Sequence, residues 1–298
     1  MLRYSVSMRT KPEEAVSEHR RRARQSIDAD KKAQTIEPVA LCLSLAGIHR
    51  HHIGSAVWAG GIVQILGEFG ISADSARVAL SRLVARGIIS RERRGRLSFY
   101  QMSESAQRDF TDGDRRIASF GRDLDSSAGY SVVWHAIPES AKGERMRLGA
   151  RLRFIGFGAL QDSTWVALRD RCAEAHAIVD RLGLNDHCSI MGGTFGEHFN
   201  AQLIARRGWN IPGLTHRYRT FLEDFDSRNA PTAPADVFAF RVRMTHCFRF
   251  FPAADPELPG IDDELDSLRQ EVVSLFHEND SKLRNMSEKY FAGVVNPT

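Results

Sequence analysis

Cysteine is scarce and scattered. The four, Cys42, Cys172, Cys188 and Cys247, stand far apart and never form C-x-x-C. That argues against a disulfide framework or a zinc ribbon and predicts reduced, mostly buried thiols. No apolar run approaches the roughly eighteen residues of a membrane span, and the first residues lack the apolar core of a secretory signal. Glu13, Glu14 and Glu18 weaken a transit-peptide reading. Together these absences predict a cytoplasmic protein with no membrane partner. Catalytic signatures are missing too: there is no G-x-S-x-G, no H-E-x-x-H and no cysteine in a suggestive histidine context. The expectation is a protein without catalytic residues, cofactor or metal. Net charge is also small, 41 Lys and Arg against 37 Asp and Glu, or +4.

The surplus, however, is local. Between positions 72 and 96 stand Arg77, Arg82, Arg86, Arg91, Arg93, Arg94 and Arg96, opposed only by Asp74 and Glu92. Concentrated charge of one sign says more about partners than the overall balance does. In the same stretch Ala76, Ala79, Leu80, Leu83 and Val84 recur at helical spacing and predict one buried stripe. Ser72 is placed to cap that helix and Gly87 to stop it. Ser75, Arg77, Val78, Ser81, Arg82 and Ala85 lie off the stripe.

Upstream, "VALCLSLAGIH" predicts a short apolar helix, and "SAVWAGGIVQILGEFG" a second that includes Val57 and Trp58 and ends at Gly70. Downstream, "IIS" and "LSFYQM" predict two strands joined by a basic loop, "RERRGR", with Gly95 at its turn. Helix, turn, helix and a basic ribbon make a winged helix-turn-helix. Its second helix would enter a major groove, and the wing arginines would lie along the backbone. Arginine can donate two hydrogen bonds to guanine, so Arg77 and Arg82, with Ser75 and Ser81, are candidate base readers. The rival role for Arg82 is an internal salt bridge. Arg91, Arg93, Arg94 and Arg96 are candidate phosphate contacts, which give salt-dependent affinity with little sequence information.

The remaining chain divides by pattern. Residues 1–36 read as a flexible basic extension containing "HRRRARQ", 37–102 as the DNA-binding domain and 103–128 as a linker helix. In 129–198, "YSVVWHAIP", "STWVAL" and "HCSIMGG" are strands and two helices lie between them, which predicts a ferredoxin-like α/β unit. Residues 199–298 are mostly helical, with Leu214, Tyr218, Phe221, Leu222 and Phe225 on one face, a helix broken at Pro252 and a last acidic-fronted helix. The fold class is therefore α+β. Two motifs carry less. "HRHH" (49–52) has three imidazoles but no completing ligands nearby, so it reads as a polar loop between helices. "MGGTFGEH" (191–198) lacks a phosphate-loop ending and reads as a turn. A metal-dependent nuclease on the α/β unit would need carboxylates; the first strand ends Val133, Trp134, His135, Ala136 without one.

"FGISADSARVALSRLVARGIISRERRGRLSFYQM" resembles the winged-helix signature of the PaaX-type repressors, the family controlling phenylacetate catabolism genes. "YSVVWHAIP", "RLRFIGFGALQDSTWVAL", "RYRTFLEDF" and "FRFFPAADPELP" match its later landmarks in order. The resemblance runs from about residue 40 to about 259. It implies a homodimeric repressor on an imperfectly palindromic operator, with a ferredoxin-like dimerisation domain and a C-terminal effector-response region. It also implies release by a small aryl-CoA, typically phenylacetyl-CoA. Residues of the types such an effector needs are Trp165, Tyr218, Arg241, Arg243, Arg249 and Phe250. Core packing is the rival role for the aromatics, and salt bridging for Arg241 and Arg249, which lie eight apart. The family's Leu-Leu-Pro and Trp-Pro-Gly segments are missing after "DPELP". That departure keeps open a response to a free aromatic acid, or activation in place of repression.

Overall fold

A computed structural model describes residues 37–122, 129–161 and 163–296; "HRRRARQ" lies outside them. Pro38 starts helix α1 (Pro38–Ile48), where its missing N–H is no loss, and Glu37 caps it by accepting from Ala40 N at 2.9 Å. A short helix α2 (Arg50–Ile53) follows. The sequence reading then needs correction. Val57 and Trp58 are not helical: Ala56 adopts a left-handed backbone (φ 62°), and the two residues form strand β1 (Val57–Trp58) before helix α3 (Ala59–Gly67) begins. Helix α4 (Ala73–Ala85) has the expected limits, with Ser72 Oγ accepting from Ser75 N at 3.2 Å.

Strands β2 (Ile89–Arg94) and β3 (Leu97–Met102) pair in register from Ile89↔Met102 to Arg94↔Leu97, and β1 adds to the far side of β3. The expected basic loop is therefore mostly strand. Only Gly95 and Arg96 form the turn, and Gly95 supplies the positive φ (61°) that a tight hairpin requires. Ser103 then caps helix α5 (Glu104–Ser119).

The middle of the chain forms an antiparallel sheet. Its strands are β4 (Tyr130–His135), β5 (Gly158–Gln161), β6 (Thr164–Ala167) and β7 (Cys188–Gly193), in the order β5-β6-β4-β7. Helices α6 (Lys142–Phe154) and α7 (Cys172–Leu182) connect them. The two-residue period of β4 sends Val133 into a core with Leu148 and Leu152 of α6 and Ala175, Ile178 and Val179 of α7. Met191–Gly193 pair with Val132–Tyr130, as the strand reading of "HCSIMGG" expects; the turn reading of "MGGTFGEH" needs correction, since the chain leaves the strand only after Gly193.

Five α-helices complete the described residues: α8 (Ala201–Gly208), α9 (Ile211–Asp224), α10 (Pro234–Phe248), α11 (Phe251–Ala254) and α12 (Asp263–Val295). The 33 residues of α12 span about 50 Å at 1.5 Å each. That length carries its end back to the N-terminal part, where Phe291 and Val295, with Phe238 and Val242 of α10, share one apolar core with Leu41, Leu45, Ile65, Leu66, Leu80 and Leu83. Gly61 permits the approach, since a Cβ there would overlap the backbone of Val294 and Val295. The molecule is thus mixed α/β with a helical C-terminal region. Among the described residues no helix is long and apolar enough to cross a membrane.

Candidate nucleic-acid interface

One face of α4 is committed to the core: Ala76, Ala79, Leu80 and Leu83 are buried. The opposite face must then carry what remains, and Ser75, Arg77, Val78, Ser81 and Arg82 are all exposed there. The hairpin stands beside it. A cleft of about 600 Å³ between the two is lined by Trp58, Arg77, Ser81, Arg91, Arg96 and Ser98.

The seven arginines are not equivalent. Arg77 donates to Asp74 Oδ1 at 2.8 Å, and both side chains are open to solvent. Arg94 lies 2.8 Å from Glu92 and 4.9 Å from the Phe99 ring centroid. The pairing with Arg94 holds the Glu92 carboxyl below its ordinary range. Arg91 donates to Ser98 Oγ at 2.9 Å, and Arg93 to the Gly95 carbonyl at 3.2 Å. Arg82, Arg86 and Arg96 have no carboxylate partner among the described residues. The internal salt bridge considered for Arg82 is therefore not formed. Arg91, Arg93 and Arg94 are also better fixed than a loop would make them, because β2 is paired with β3 along its length.

"HRHH" is not a polar loop. His49 is 1% exposed and stacks on Phe291 at 4.0 Å and 5°. Its Nδ1 lies 2.9 Å from Glu288 Oε2, and His52 Nε2 lies 3.1 Å from the same oxygen. Burial pushes the His49 imidazole down, against the upward pull of Glu288. The motif joins α1 to α12. Among the described residues no group of three or more His, Cys, Asp or Glu side chains is arranged to hold a metal ion.

The six effector-type residues are dispersed. Trp165 is buried beneath Arg153, whose guanidinium lies 4.7 Å above its ring. Tyr218 is buried and donates to Asp255 Oδ2 at 2.6 Å. Arg241 is buried, with Nε 2.8 Å from Asp280 and Nη1 3.2 Å from Glu288. Arg249 packs over Phe110 at 5.5 Å, and Arg243 over Phe69 at 5.8 Å. Arg241 and Arg249 thus face different neighbours despite their spacing. Phe250 borders a cleft of about 310 Å³ between the central sheet and α9. Its other walls include Arg153, Trp209, Asn210 and Arg217, none of which the sequence reading singled out. Trp209 is 7% exposed with its Nε1 unpartnered, and Arg217 lies 4.2 Å over the Phe250 ring. A lone tryptophan between two helices gave no periodic signal to find it by.

Comparison with known proteins divides the chain in the same order. Residues 37–106 match the PaaX-like protein family, 128–205 the PaaX protein central Cas2-like domain, and 209–293 the PaaX-like protein C-terminal domain. The transcriptional repressor PaaX of Escherichia coli is 22% identical over 237 residues, covering 76% of this chain and 74% of that protein. A solved structure of an uncharacterized protein from Mycobacterium tuberculosis has a TM-score of 0.49 at 17% identity, covering 83% of this chain and 96% of that one. With all three family segments present in sequence, this chain belongs to the PaaX family.

Proposed function

We propose that the protein is a homodimeric, DNA-binding transcriptional repressor of an aromatic-compound catabolic operon. In this reading residues 37–102 are a winged helix-turn-helix, 103–128 a linker that contains α5, 129–198 a ferredoxin-like dimerisation domain and 199–298 the effector-response part. The observation that carries it is the exposed face of α4 beside the β2–β3 hairpin: arginine outnumbers acid seven to two between positions 72 and 96, and Arg77, Arg91 and Arg96 line the cleft between the two elements. Arg82 and Arg77, with Ser75 and Ser81, read base edges; Arg91, Arg93, Arg94 and Arg96 hold phosphates. Two copies about a two-fold axis require an imperfect palindrome with half-sites in successive major grooves.

The effector is a small aromatic acid or its CoA thioester. The cleft between Arg153, Trp209, Arg217 and Phe250 supports this, since it pairs two guanidinium groups with aromatic walls and none of its lining residues is acidic. Its size, at the small end for ligand sites, favours an acid or acyl end over a whole coenzyme. Because α10 and α12 share the apolar core of the DNA-binding part, an effector that prefers one arrangement of these helices can alter DNA affinity. A tenfold release needs about 1.4 kcal/mol of differential binding.

Fluorescence anisotropy of a labelled duplex from the gene's own upstream region tests both parts. Saturable binding released by phenylacetyl-CoA or by phenylacetate is the expected result, and the active form identifies the ligand class. Binding no tighter than to shuffled duplex would overturn the repressor reading. Tight binding that ignores both compounds would overturn the effector assignment alone.

A further inference from the structure

We infer that Val78 is a specificity-determining residue that packs against the 5-methyl group of a thymine in the major groove. The inference rests on the DNA-binding reading above and goes beyond it, because arginines and serines on α4 read hydrogen-bonding groups, whereas thymine is marked by a methyl.

Val78 is 51% exposed. Every other side chain of α4 that is apolar and larger than alanine, Leu80, Leu83 and Val84, packs on the core. Among the described residues Val78 belongs to no apolar cluster. A β-branched residue also loses side-chain freedom in a helix, so neither packing nor helix formation accounts for valine here. Its position is central to the outward face. Asp74 and Ser75 stand one turn before it and Ser81 and Arg82 one turn after, at the three- and four-residue spacings that make helix neighbours. A helix that lays Arg82 against a guanine edge therefore brings Val78 to the floor of the same groove. Since one helical turn is 5.4 Å and successive bases rise by about 3.4 Å, the thymine lies within about two base pairs of the base that Arg82 contacts.

The test uses the full chain. A preferred site is selected from a randomised duplex library, then remade with deoxyuridine replacing each thymine in turn, which deletes one methyl and no hydrogen-bonding group. The expected result is one thymine position at which deoxyuridine weakens wild-type binding about fourfold, the worth of one buried methyl. Val78→Ala should lose at least as much on the thymine site and show no further loss with deoxyuridine. Val78→Thr, which keeps one methyl and the β-branch, should retain most of the discrimination. Thermal unfolding unchanged in both variants would show that the exposed side chain acts on DNA and not on the fold. Selection of a site at which every deoxyuridine penalty is the same in wild type and Val78→Ala would overturn the inference and leave the repressor reading standing. Failure to select any sequence would overturn both.

Discussion

Arg269 and Arg82 are both helical arginines, but they are held in opposite ways. Arg269 is 1% exposed; its Nε lies 2.9 Å and its Nη1 2.5 Å from the carboxylates of Asp255 and Asp266. Asp255 in turn accepts from Tyr218. Arg241 follows the same rule between Asp280 and Glu288, and Arg116 between Glu257 and the Pro252 carbonyl. Burial alone would raise the Glu257 carboxyl, yet Arg116, Arg171 and Arg169 around it hold it below its usual range. On α4 and the hairpin, by contrast, Arg82, Arg86 and Arg96 face solvent without a carboxylate among the described residues, and the carboxylates paired with Arg77 and Arg94 are exposed near neighbours in sequence. A buried guanidinium has to be neutralised within the fold, whereas an exposed one remains available to a partner. The small overall charge conceals this division.

The comparison breaks most readily on the buried side. Arg269→Met leaves Asp255 buried beside Tyr218 without its cation and should destabilise by about 3–5 kcal/mol in urea unfolding. A change below about 1 kcal/mol would show that the buried arginines do not hold the fold together. Next in size is Arg82→Ala. It should leave unfolding within about 0.5 kcal/mol of wild type and weaken operator binding by roughly 1–3 kcal/mol, with much less effect on random duplex. Arg77→Ala should act in the same direction.

The double variant Arg93→Ala with Arg94→Ala should weaken operator and random duplex alike. It should also reduce the salt slope of binding by about two, one for each phosphate left without its arginine. Equal sequence-dependence in the Arg82 and Arg93/Arg94 variants would remove the division between base reading and phosphate holding.

The smallest effect is on acid stability. The buried His49 imidazole is held below its ordinary value of about 6.5, so the unfolded chain takes up that proton first. Its contribution is complete above about pH 6.5 and declines as pH falls towards the folded value. Glu288, kept ionised by His49, Arg241 and His52, declines in the same direction at lower pH. Unfolding midpoints measured between about pH 7.5 and 5.5 should fall, and the fall should be shallower in His49→Gln.

The buried stripe of α4 was legible because five apolar residues at helical spacing leave no other way to place the helix. Its cap and its exposed face followed from the same spacing. Strand β1 was not legible: two residues have no period, and Val57 and Trp58 continue an apolar run into α3. Of β2 only the start was legible, in "IIS"; its residues after Ile89 are all exposed, so the alternation that marks a half-buried strand is absent from the rest. Pairing across sequence was the larger omission. The spacing of Arg241 and Arg249 could be read, but the carboxylates of Asp280 and Glu288 that hold Arg241 lie on another helix. His49 looked like part of a polar loop until Phe291, far along the chain on α12, supplied its stacking partner.

Amide hydrogen exchange on the full chain, with and without a saturating upstream or selected duplex, tests most directly whether the exposed arginines mark the interface. The account predicts new protection in α4 and in β2–β3, concentrated at residues 72–82 and 90–97. Protection confined to the central sheet or the C-terminal helices, with α4 and the hairpin unchanged, would contradict it.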